Sequence, residues 1–95
     1  MPGKIGSVRV VGSGVAVEGA CEVVGLIFWP DFDADYVDVY DGLDSAGGKK
    51  FARIETPTSL TWGLLFPDPV PFETGVYVAG KGLTVETTVI FRYVD

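Results

Sequence analysis

Six aspartates, Asp31, Asp33, Asp35, Asp38, Asp41 and Asp44, fall within fourteen residues, and no Lys or Arg stands between Arg9 and Lys49. Carboxylate oxygens at that density are what a hard cation such as Ca²⁺ takes as ligands. Asp31-x-Asp33-x-Asp35 matches the first three ligand positions of a calcium loop. The match then fails, because Tyr36 stands where the loop needs a Gly and Gly42 where it needs a bidentate Glu. A solvated turn leading into an edge strand protected by charge explains the same residues. We favour that reading, which leaves Asp31, Asp33 and Asp35 as a minority Ca²⁺ site and predicts no cofactor.

Catalysis finds less to work with. The chain has no His, which removes the commonest general base and both the Ser-His and Cys-His nucleophile pairs. The single cysteine, Cys21, can form neither an internal disulfide nor a thiolate cage. Beside Glu22 and remote in sequence from any cation, it reads as a small core hydrophobe. A glycosidase pair needs one carboxyl in a pocket that raises its pKa, whereas the carboxylates here sit in turns and on polar strand faces. Gly12-Ser13-Gly14 and Gly47-Gly48-Lys49-Lys50 lack the spacer of a phosphate loop and read as turns. The expectation is a protein that is not an enzyme.

Two binding chemistries remain. Trp29, Phe32, Tyr36 and Tyr40 lie close together in sequence, three of them beside an Asp, the mixture a sugar-stacking platform uses. A packed subunit interface explains them better, since aromatic residues concentrate at interfaces. The acidic run, with Asp38 inside it, is followed by Lys49, Lys50 and Arg53, so copies placed head to tail would match acid to base.

Ninety-five residues make one domain, 47% hydrophobic and able to build a core. Seven basic against thirteen acidic residues leave a formal charge of −6, which argues against nucleic acid and against anionic membrane surfaces. No apolar run is long enough to span a bilayer, and the N-terminus lacks the layout of a signal peptide. A protein made in the cytoplasm and used without secretion is expected.

The elements that must position these residues are strands. The hydrophobic period is two almost throughout, with Gly or Pro about every 8–12 residues, and this predicts an antiparallel β-sandwich of jelly-roll or Greek-key type over residues 1–95. Eight strands are expected: 4–11, 15–18, 21–29, 36–41, 49–55, 59–66, 76–79 and 83–94. The run 21–29 reads as a central strand covered on both faces. Leu60, Trp62 and Leu64 share one side of the sixth strand, and Pro67-Asp-Pro-Val-Pro71 reads as a stiff connector crossing between sheets. Phe72 is expected to plug the core edge, and Gly80-Lys81-Gly82 to form a hairpin turn. In the last strand Val85, Thr87, Val89, Phe91 and Tyr93 share one face, and the second half is apolar on both.

Several of these pieces are similar to a known group. Tyr36-Val-Asp-Val-Tyr-Asp-Gly42, Ser45-Ala-Gly-Gly-Lys49, Pro67-Asp-Pro-Val-Pro-Phe72 and Thr74-Gly-Val-Tyr-Val78 resemble small proteins of tailed-phage and prophage structural gene clusters. Those proteins end, as here, in a Val-rich strand such as Thr84–Phe91, and the likeness spans roughly residues 22–94. The acidity of residues 10–48 maps onto no shared motif. The resemblance implies a virion accessory protein, a β-sandwich decorating the head or forming part of a tail, often as a trimer. Its partners would be capsid or other virion proteins and further copies of itself. The expected interface residues are Trp29, Phe32, Tyr36, Asp38 and Tyr40, the basic group Lys49, Lys50 and Arg53, and Phe91 and Tyr93 of the last strand. A carbohydrate- or receptor-binding sandwich is the alternative.

Overall fold

The computed structural model describes residues 5–30, 35–55, 61–81 and 85–94. The described residues contain eight strands and no helix: β1 Gly6–Val11, β2 Ser13–Glu18, β3 Cys21–Trp29, β4 Tyr36–Asp41, β5 Lys49–Glu55, β6 Trp62–Phe72, β7 Gly75–Gly80 and β8 Glu86–Tyr93. They form two antiparallel four-stranded sheets, β1-β8-β3-β6 and β2-β7-β4-β5. The pairs β4–β5, β3–β6, β2–β7 and β1–β8 are nested, as in one long hairpin turning at residues 42–48 and rolled up on itself. Cross-pairings β3–β8 and β4–β7 close the roll. This is the jelly roll, one of the two connectivities that the strand pattern leaves open.

Between the sheets lies a core of short branched side chains. Val17, Val23, Val37, Val39, Val76, Val78, Val85 and Val89 are buried around Leu26 and Phe28, the two largest fully enclosed groups. Valine suits this place because its branched Cβ packs on a pleated surface. The predicted alternation of the last strand holds: Val85, Thr87 and Val89 point inward. Phe72 closes one edge of the core at 2% exposure.

Glycine makes two of the turns. Gly12 takes φ +76° between β1 and β2, and Gly19 takes φ +99° before β3, a region that L-residues with a Cβ avoid.

Three expectations need correction. The proline-rich segment is no crossing connector: Pro67, Pro69 and Pro71 lie within β6, at the edge of the first sheet. An edge strand tolerates proline because half its N–H groups point away from the ladder. The cost appears as a wide bulge, in which residues 66–69 of β6 loop past Val24 of β3. Gly80 and Lys81 do not turn a hairpin, since β7 and β8 lie in different sheets. Among the described residues no element covers the outer face of the first sheet, so β3 and β8 are covered on one face only, and Ile27, Trp29 and Ile90 remain half-buried.

Candidate interaction surfaces

The outer face of the second sheet gathers five of the expected interface residues. Strand alternation brings Tyr36, Asp38 and Tyr40 of β4 to one side, and β5 pairs Arg53 with Asp38 and Lys50 with Tyr40. Arg53 Nε donates to Asp38 Oδ1 at 2.7 Å and Nη2 donates to Oδ2 at 3.0 Å, a bidentate fork. Lys50 Nζ approaches Asp38 Oδ2 at 3.4 Å. The Arg53 guanidinium also lies 3.9 Å from the centroid of the Tyr36 ring, a stacked cation–π contact. Tyr40 and Tyr77 meet at 6.2 Å between centroids. The Arg53 hydrogen bonds hold the Asp38 carboxyl below its ordinary range against the opposing effect of burial, with Lys50 assisting. Asp38, Lys50 and Arg53 thus satisfy one another within a single chain.

The hairpin end carries a different arrangement. Asp41 accepts the backbone N–H of Glu73 at 2.9 Å and of Thr74 at 3.0 Å, tying the β4–β5 hairpin to the β6–β7 turn. Partial burial works to raise its pKa, and these donors outweigh it, leaving the carboxyl below its ordinary range. Phe51 is the extra residue of a bulge opposite Val39 and Tyr40. Its ring meets Phe72 at 5.3 Å and Phe66 at 6.0 Å, both edge-on. Phe51, Pro71 and Phe72 line an open cleft of about 350 Å³ together with Asp41, Lys49 and Glu73. Because Asp41 is committed to backbone donors, it is a structural carboxylate.

The first sheet ends in a third surface, the β6 edge. Trp62 is 48% exposed, Leu64 36% and Leu65 70%, consecutive large apolar side chains with only Gly63 between them. Leu64 and Trp62 pair with inward-facing Leu26 and Phe28, and Leu65 lies on the outer face opposite Gly25. A Cβ on Gly25 would stand 2.7 Å from Leu65 Cδ2 and 2.9 Å from the Leu64 carbonyl oxygen, so β6 approaches this closely only because residue 25 is Gly.

The structure separates other residues that the sequence groups together. Trp29 is on the outer face of the first sheet opposite Glu86, while Tyr36 and Tyr40 are on the second sheet, so the three make no common aromatic platform. Phe32, Asp31 and Asp33 lie outside the described residues. Asp35 is 4% exposed. Among the described residues no cluster of three metal-ligating side chains occurs. Phe91 packs half-buried against the core and meets the exposed ring of Tyr93 edge-on at 5.3 Å. Cys21 is fully buried, and that burial, with the Asp41 charge, pushes its thiol up to about 11.

Sequence reasoning missed Leu65 and Tyr77, and placed Trp62 and Leu64 on a strand side without seeing that they stay exposed. The signal available was the triple proline. Prolines inside a strand mark a sheet edge, and the proline-free residues before them must then be edge as well.

No family model matches the chain, no curated protein matches it, and no solved structure matches it.

Proposed function

We propose that this chain is a non-enzymatic structural protein of a virion, a capsid decoration or stabilising protein that acts through contacts of its β-sandwich. The observation that carries the reading is the row Trp62, Leu64 and Leu65 left on the surface beside a core that is already filled. Exposed apolar side chains on both sides of one uncharged edge strand of a small, strongly charged protein mark a contact surface for another protein. The virion is named as the setting on the likeness of residues 36–49 and 67–78 to tailed-phage structural proteins. Mass spectrometry of purified particles from cells carrying the gene tests it. The chain in fixed proportion to the major capsid protein is the expected result, and its absence from clean particles contradicts the proposal.

The second reading is a carbohydrate-binding module, favoured by Tyr36, Tyr40 and Tyr77 standing with Arg53 and Asp38 on one face. Ring faces beside paired charged donors and acceptors are what a sugar needs. It predicts a glycan whose binding Tyr77→Ala abolishes with thermal stability unchanged. No binding across a broad glycan panel removes it.

A further inference from the structure

We infer that residues 62–66 at the β6 edge are a homotypic docking strand, pairing antiparallel with the same segment of a second copy across a twofold axis through Leu64. The inference stands on the edge itself and does not depend on the virion setting.

Four strands border the two sheets: β1 and β6 of the first, β2 and β5 of the second. Natural edges are blunted by charge, proline or bulges. β1 carries Arg9; β5 carries Lys49, Lys50, Arg53 and Glu55; β2 is interrupted by a bulge at Ala16. In β6 the prolines protect only the second half, at 67, 69 and 71. Trp62-Gly-Leu-Leu-Phe66 has no charge, no proline and an unbroken register with β3 from Trp62 to Leu65. Among the described residues no strand pairs with its other side.

The occupant follows from the sequence of the edge and from the charge of the molecule. Two copies each carrying −6 repel, and they meet at least cost where the edge bears no charge. Antiparallel pairing about Leu64 puts Trp62 opposite Phe66 of the second copy, an aromatic pair, and Gly63 opposite Leu65. An added Cβ on Gly63 would touch nothing within 4 Å, so Gly63 leaves room beside Ile27 for the 70%-exposed Leu65 side chain of the second copy. Pro67 limits the register, because lengthening the ladder would require an N–H it lacks. The product is an isologous dimer with one eight-stranded sheet. This differs from the trimer the sequence resemblance implies.

Light scattering on a sizing column reads the result, using wild type, Leu65→Lys, Leu64→Cys and Trp62→Cys. Wild type is expected at twice the chain mass of 10.1 kDa. Leu65→Lys, a change at an exposed position, is expected at half the wild-type mass with its circular dichroism unchanged. On oxidation Leu64→Cys cross-links to itself, since only residue 64 meets its own copy, while Trp62→Cys does not. The buried Cys21 does not compete. A monomeric wild type at concentrations far above micromolar overturns the inference. So does a Leu65→Lys variant with wild-type mass, or a Trp62→Cys variant that cross-links as readily as Leu64→Cys.

Discussion

Thr87 is the residue whose placement costs the fold most visibly. It is fully buried in β8, facing Phe28 and Val10 across the ladders, and its hydroxyl finds no partner among the described residues. An unpaired buried hydroxyl costs about 1–3 kcal/mol. Thr87→Val keeps the shape and removes that cost, so we expect a gain of about 1 kcal/mol, read as a melting temperature higher by about 4–8 °C. The acidic residues set the response to pH. Folding lowers the pKa of Asp38 and of Asp41 below the ordinary 3.8. The unfolded chain therefore binds protons more readily, so this stability is full well above pH 3.8 and is lost as pH falls through the lowered values. Melting temperatures measured at pH 7 and pH 3 should fall, and Asp38→Asn should show a lower value at pH 7 with a shallower further drop. Cys21 acts in the other direction. With its thiol raised to about 11, it should stay unreactive toward a thiol reagent at pH 8 until the protein is unfolded.

At the scale of the element, five of the eight strands begin or end where periodicity and turn residues place them, β3, β4 and β5 with both bounds unchanged. The faces of β1 follow from alternation, since Ser7 and Arg9 interleaved with Val8 and Val10 leave one assignment. β3 was less legible. Its inward residues are Cys21 and Val23, then Leu26 and Phe28, and the shift of phase is made by a bulge at Val24. In an apolar run nothing alternates to report that shift, and Gly25 was the one mark it left. Gly25→Ala tests the point. The added methyl meets the Leu64 carbonyl at 2.9 Å, so β6 must move, at a cost of about 1–3 kcal/mol in denaturant unfolding. The interaction surfaces were legible in part. The alternation of Tyr36-Val-Asp-Val-Tyr40 puts Tyr36, Asp38 and Tyr40 on one face; which cations they meet depends on the β4–β5 register and the bulge at Phe51, and that is set by tertiary packing.

At the scale of the molecule, Asp38 and two of the three cations that the sequence offers for contact between copies are already used within one chain. Lys50 and Arg53 close onto Asp38 on the outer face of the second sheet, and Arg92 donates to Glu22 at 2.6 Å on the first sheet. The first half of β6 instead carries exposed apolar side chains with no charge or proline among them. A jelly roll whose core is full and whose polar pairs are closed has its adhesive surface at an edge strand, and this one is bordered by prolines that prevent it from extending. The central claim is that Trp62–Phe66 is where the molecule meets another chain. Amide hydrogen exchange measured across a series of protein concentrations tests that claim most directly. The account predicts that exchange at residues 62–66 slows as concentration rises, while the β5 edge at Lys49–Glu55 exchanges at the same rate throughout. Exchange at residues 62–66 that is independent of concentration would contradict it.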